Sequence, residues 1–384
     1  MKKSHPKVQT PTPNLCSPGP PPPPPPHRHL MHMASCSDSN SYPSPIGPSE
    51  HFWVDMQPFL LHRGYQLRPR YDPDWTPPWR RGVALGEPFL DMGLFEEHLD
   101  ASEMMLDAIR IHDQRKVVMK KVRTAEEELP IALLLSSPKM RSDTRNCAVP
   151  VLDVVLIPGD DEHALLVMPH LLLFDELPFR RVGEFCEMVV QLLEGIEFMY
   201  EQNIAHRDAC WFNIMMDHSK MVPKGTHFCL PSSHDGLKEG LEWKSRWSVR
   251  PVRYFFVDFG ISVRCTSKDA KVLGSFAQDK SVPELSNSIL YNPFPVDIYE
   301  LGNVIKKCVE NYDDLSLFSG LASHMTSHEP HQRPTAQEAV QLCKQLLQSI
   351  EESGLMTRRI WQRNVIYTFS EKLAIASGLY NPMY

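Results

Sequence analysis

Residues 206–213, "HRDACWFN", set a carboxylate, Asp208, five positions before a carboxamide, Asn213. Phosphoryl transfer needs a carboxylate beside the attacking hydroxyl and oxygen ligands for the metal on the phosphates. In such chemistry Asp208 would accept or orient the hydroxyl proton, and Asn213 would hold Mg²⁺. Downstream, "YFFVDFGIS" (254–262) reads as a short buried strand ending in Asp258-Phe259-Gly260. A second acidic ligand at a strand end is what a two-metal phosphate clamp requires, with Asn213 and Asp258 as its protein ligands. Either motif alone can arise by chance; in this order the two are strongly specific.

These residues need a scaffold. "DAIRI" (107–111) and "KVVMKKV" (116–122) flank the polar "HDQR" and predict a β-hairpin. "VLDVVLI" (151–157) and "HALLVM" (163–168) flank "PGDDE" and predict another, with stronger turn chemistry. From 185 onward the pattern turns helical: Met188, Val189, Leu192, Leu193, Ile196 and Met199 keep a 3.6-residue period. Similar stripes run from Ile298 to Val309 and from Ala336 to Ile350. The last opens on a capping box, Thr335 and Glu338. Strands first and helices after predict an α+β fold.

Other stretches read as outside this body. Residues 1–50 carry the proline run that ends at Pro26 and many Ser and Asn. Proline favours extended polyproline II and builds no core, so the segment reads as a disordered tail. A polyproline-binding domain is the partner such a tail would suit. "RGYQLRPRYDPDWTPPWRRG" (63–82) suggests an irregular segment wrapping the folded part. The triplet His324, His328 and His331 has metal-like spacing, but no Cys or carboxylate set completes a tetrahedral site.

The bulk numbers narrow the class. A formal charge of −7 argues against a general nucleic-acid binder. Nine cysteines without any CxxC fit reduced thiols. No apolar run reaches the roughly 20 residues that span a bilayer, and no secretory signal opens the chain. These features predict an intracellular protein, cytoplasmic or nuclear, with neither membrane nor nucleic acid as partner.

The two motifs resemble those of the eukaryotic protein kinase domain. More closely, the chain is similar to the protein-kinase-like proteins of mushroom-forming (basidiomycete) fungi, through "RSDTRN", "VPVLDVV", "AQDKSVPELS" and "PFPVDIYELGNVI". The resemblance covers roughly residues 60–350 and implies a domain over 51–350. It implies a bilobal fold, with a small β-rich N-lobe (about 83–168, reduced if its glycine loop is missing) and a larger helical C-lobe (about 172–350). An insertion at about 217–252 and an extension at 351–384 complete the layout.

ATP and Mg²⁺ (or Mn²⁺) follow from the resemblance as cofactors, as does a protein substrate that the sequence does not identify. Lys120 matches the strand lysine that grips the α- and β-phosphates. Glu128 is the better match for its helix partner, with Glu127 second. "VMPHL" resembles the hinge, where backbone groups of Val167, Met168 and His170 would bond adenine. Asp297 would brace the catalytic loop, and Arg333 would pair with Glu284, both structurally. The catalytic set is then Asp208, Lys120 and Glu128, in an ATP-dependent kinase directed to Ser/Thr hydroxyls.

Three departures stand against this set. Cys210 replaces the lysine that neutralises charge in transfer, a loss on the order of 3 kcal/mol. No G-x-G-x-x-G precedes Lys120; residues 95–106 are instead acidic, with a composition that suits a helix. Pro130 lies two residues after Glu128, so the helix should start late. A pseudokinase that acts as a nucleotide- or protein-binding scaffold is therefore the second reading. A small-molecule kinase of the aminoglycoside or choline type also uses an Asp…Asn loop, but "VPE", "DIYELG" and "RPT" argue against it. Between Asn213 and Asp258 lie 44 residues, where the kinase motif order has about a dozen. The excess reads as a decorated surface loop, or alternatively as a docking surface or lid.

Overall fold

A computed structural model of the chain describes residues 50–75, 104–236 and 240–378. The proline-rich tail, the place of the missing glycine loop and most of the acidic 95–106 stretch lie outside these residues. Met105 and Leu106, at the end of that stretch, open a strand rather than continue a helix.

The first element is α1 (His51–His62), followed by β1 (Tyr65–Gln66), β2 (Met105–Arg110) and β3 (Arg115–Arg123). After α2 (Glu128–Ser136) and α3 (Pro138–Arg141) come β4 (Asp153–Ile157) and β5 (Asp160–Pro169). The strands form one antiparallel sheet in the order β1-β2-β3-β5-β4. Both expected hairpins are present. Side chains alternate across a strand, and that alternation sorts this sheet. Val117, Met119, Leu165 and Val167 face a core with Trp53, Met56 and Leu60 of α1, while Val122 and Leu166 face Ala132 of α2. Lys120 pairs with Leu166 across the ladder and so shares the α2 face.

β1, a strand of this sheet, and α1, which packs on it, both precede residue 83, where the N-lobe was expected to begin. Buried Trp53, Met56, Gln57 and Leu60 keep a helical period, but Pro58 falls within it. The segment 63–75, read as irregular wrapping, contributes β1 and a short 3-10 turn with Tyr71 fully buried.

The second half is helical. β6 (Leu172–Leu173) leads to α4 (Val182–Glu201), then β7 (Ile204–Ala205) and β8 (Ile214–Met216). α5 (Arg246–Val249) precedes β9 (Tyr254–Phe256) and β10 (Val263–Arg264). β11 (Val272–Gly274) pairs with β12 (Ser286–Tyr291), after which come α6 (Phe294–Asn311), α7 (Ser319–Met325) and α8 (Ala336–Glu352). The apolar stripes of α4, α6 and α8 meet in one large core. The Thr335–Glu338 capping box closes the start of α8 from both sides. α9 (Phe369–Ser377) ends the described chain, and the preceding segment docks on this same body through buried Ile360 and Tyr367. Mixed α+β is the architecture. Among the described residues, no helix is long and apolar enough to cross a membrane.

The segment 217–252 is not a surface decoration. Met221, Val222, Leu241, Trp243 and Val252 belong to the helical core. Arg246 is fully buried, stacks 4.1 Å over Phe179 and donates to the Phe174 carbonyl. A guanidinium that is weakly hydrated and can lie on an aromatic face tolerates such a place better than an ammonium would.

Candidate active site

β8 and β9 pair antiparallel, Ile214 opposite Phe256. That pairing forces Asn213, just before β8, beside the residues just after β9, whatever the length of chain between them. Val257 N–H donates to the Asn213 carbonyl at 3.0 Å. His206, fully buried, has its Nε2 3.1 Å from the Val257 carbonyl. The "HRD" loop and the "DFG" turn are thus one unit.

Within it, Asn213 Nδ2 donates to the Asp208 carbonyl at 2.9 Å and to Asp208 Oδ2 at 2.7 Å. Asp208 also accepts from Gln278, by its backbone N–H at 2.8 Å and its Nε2 at 2.9 Å. On the sheet side, Lys120 Nζ lies 2.5 Å from Glu128 Oε1 and 2.8 Å from Asp258 Oδ1. Burial alone would push the Lys120 ammonium down, but the two carboxylates outweigh it and hold the group charged. For Asp258 too, burial is outweighed, and Lys120 keeps its carboxyl below the usual range. Glu127, the second candidate, is exposed, and it is Glu128 that pairs with Lys120.

Pro130 does not prevent the Lys120–Glu128 pair. α2 begins at Glu128, so Pro130 is its third residue. The first N–H groups of a helix have no intrahelical acceptor, and losing one there costs nothing. The helix starts early enough to bury Glu128.

Two of these positions carry left-handed backbone, Arg207 at φ 66° and Asp258 at φ 64°. Such geometry in non-glycine residues persists only where surroundings over-determine it. Arg207 N–H donates to Asp297 Oδ1 at 2.6 Å and His206 N–H to Asp297 Oδ2 at 2.8 Å. The Arg207 guanidinium adds bonds to the carbonyls of Ile261 and Leu273. Burial pushes the Asp297 carboxyl up to about 7 despite those two N–H donors. Three residues on, Glu300 is fully buried and accepts the Ala209 N–H at 2.7 Å. Glu300 escaped notice in the sequence. The signal was present, since Asp297 and Glu300 are i, i+3 acids on the buried stripe of α6. Gln278 offered no such signal.

Of the expected adenine-binding residues, Val167 and Met168 lie near the end of β5 and His170 directly follows it. The Val167 carbonyl already accepts from Leu152 N–H at 2.7 Å, and His170 N–H donates to the Lys116 carbonyl at 3.3 Å. Pro169 between them has no N–H. The ring of His170 stands edge-on to His218, with centroids 5.3 Å apart, and near Phe228. Lys116 Nζ reaches the Thr226 carbonyl at 3.0 Å. Residues of the 217–252 segment therefore line this edge, which only the tertiary structure reveals. Cys210, where a lysine was missed, is buried as a neutral thiol whose pKa burial drives upward.

His218 supplies a test of this packing. Burial pushes its imidazole down to about 4, with Asp217 opposing and Lys116 assisting. That folded value lies below the ~6.5 of the unfolded chain, so the neutral ring's contribution is full above that pH and is lost as pH falls toward 4. Linkage puts the loss on the order of 2 kcal/mol by pH 5. His218→Gln should narrow the stability gap between pH 7 and pH 5 by that amount, as read from denaturant melts. Equal gaps in both proteins would refute it.

No protein-family model matches the chain, and no curated protein matches it significantly.

Proposed function

We propose that the chain is an ATP-dependent protein kinase, directed to Ser/Thr hydroxyls, on a bilobal kinase-like fold. The observation that carries this reading is the convergence of five residues from four elements. Lys120, Glu128 and Asp258 form one ion cluster, and Asp208 with Asn213 forms a second group tied to it through Val257. The order of the sheet before the helices agrees with the reading.

The donor set suits Mg²⁺. Asp258 presents a carboxylate 47% exposed, and Asn213 turns its N–H₂ to Asp208, which leaves its carbonyl oxygen as a ligand. Hard oxygen ligands of this kind suit Mg²⁺; the metal would neutralise charge on the phosphates. Lys120 would hold the α- and β-phosphates, with Glu128 keeping the ammonium charged and aimed. Asp208 would orient the substrate hydroxyl and take its proton as the oxygen attacks the γ-phosphorus and the bond to the β-phosphate oxygen breaks, releasing ADP.

A second reading, a pseudokinase scaffold, draws on Cys210 and on the occupied backbone groups of Val167 and His170. Transfer of labelled γ-phosphate from ATP, to the chain itself and to a mixed protein substrate with Mg²⁺ or Mn²⁺, separates the two. Transfer supports the enzyme; its absence with both metals overturns it. Binding is scored apart. Mg-ATP at about 100 times its Kd should add about 2.7 kcal/mol of stability, and Asp258→Asn should remove most of that gain. A melting shift without transfer would leave the scaffold.

A further inference from the structure

Asp208 is only 6% exposed, and the residue two places on, Cys210, brings it no charge. Its carboxylate is nevertheless held at both oxygens. Gln278 donates its backbone N–H to Oδ1 and its side-chain Nε2 to Oδ2, while Asn213 donates to Oδ2 as well. An ionised carboxylate offers about four lone-pair sites. Besides these three N–H groups, the Cys210 thiol hydrogen-bonds the same carboxylate.

Gln278 is itself anchored on both sides. Asp279 accepts from Asn303 Nδ2 at 2.7 Å and from Ser281 Oγ at 2.7 Å. Lys280 Nζ donates to the Ser275 carbonyl at 2.7 Å, and Tyr291 OH to the Gly274 carbonyl at 2.6 Å. Asn303 belongs to α6, which also presents Asp297 and Glu300 to the loop. One helix therefore braces the carboxylate's own loop and the segment that grips it.

We propose that Gln278 is the positioning residue of Asp208: its two N–H groups hold the carboxylate in its working orientation. The proposal rests on the kinase reading. Two neutral donors can orient a carboxylate without placing a cation beside it. A donor pair shared between backbone and side chain also ties that orientation to the position of the segment.

The test is steady-state transfer by the full chain with Gln278→Ala, Gln278→Met and Gln278→Glu. The Met variant keeps the side-chain length without the donor, so it guards against loss of packing. Losing one hydrogen bond to a charged group should lower kcat about ten- to hundredfold. KM for ATP should stay within about twofold, because an aligning contact acts in the transition state and not in nucleotide binding. The Glu variant sets a carboxylate against a carboxylate and should fall further. A merely structural role would lower the melting temperature and would not separate kcat from KM. A rise in kcat would mean that Gln278 blocks Asp208, and an unchanged kcat that it does nothing; either overturns the proposal. Absence of transfer in the wild type would instead overturn the kinase reading itself, and this proposal with it.

Discussion

Asp208→Asn should cut γ-phosphate transfer by about 10²–10⁴-fold, the range a positioned general base contributes. The substitution preserves size but removes the charge that accepts the hydroxyl proton. It also disturbs the local hydrogen bonds. Three N–H donors converge on the carboxylate, two from Gln278 and one from Asn213. An amide there must turn its own N–H₂ toward one of them and leave a partly buried donor unmet, at a cost of up to about 1 kcal/mol. Slight destabilisation should accompany the loss of transfer, with KM for ATP nearly unchanged, since Lys120 and Asp258 stay paired. Activity and melting are therefore measured side by side. Equal transfer by both proteins would show that Asp208 is not the base, once a contaminating kinase has been excluded by a second purification.

Arg333→Met should destabilise the fold by about 3–5 kcal/mol, the cost of leaving one partner of a buried ion pair alone. Arg333 has no exposed side-chain surface, and Glu284 has 10%. Their two bonds, Nη1 to Oε1 at 2.5 Å and Nη2 to Oε2 at 2.8 Å, are bidentate. The guanidinium also donates to the carbonyls of Ser327 and Pro295 and lies over the Tyr299 ring. Methionine fills similar volume and supplies none of these donors, so the Glu284 carboxylate would be left buried beside a thioether. Denaturant melts check the figure. Arg333→Met with Glu284→Gln should recover part of the loss, because no uncompensated charge then remains. A double variant as unstable as the single one would show that packing, and not the pair, sets the cost.

Much of the scaffold is legible in the amino-acid sequence. Strand-like runs flanking polar turn residues marked the hairpins of β2–β3 and β4–β5, and period 3.6 marked α4, α6 and α8. Those signals are local, because burial of one face repeats along a single element. α1 was missed because Pro58 interrupts its stripe, although a helix packed against a sheet can carry such a residue. The chain 217–252 was misjudged for a different reason. Its excess length over the motif order read as a decorated surface loop, yet Arg246 is buried where Phe179 and a backbone carbonyl receive it.

By itself the sequence determined which chemistry was on offer: Asp208, Asn213 and Asp258 as oxygen groups, and Lys120 as the cation. It also determined the α+β order, strands before helices, that carries them. Only the tertiary structure decided which of these residues meet. The Lys120–Glu128 pair depends on the start of α2, and Pro130 leaves it intact because the first turn has no N–H bond to lose. The nearness of Asn213 to Asp258 across 44 residues depends on one three-residue strand pairing. The grip of Gln278 on Asp208 depends on a segment held by α6. Such contacts are long-range, and a hydrogen bond leaves no period in the chain by which it could be foreseen.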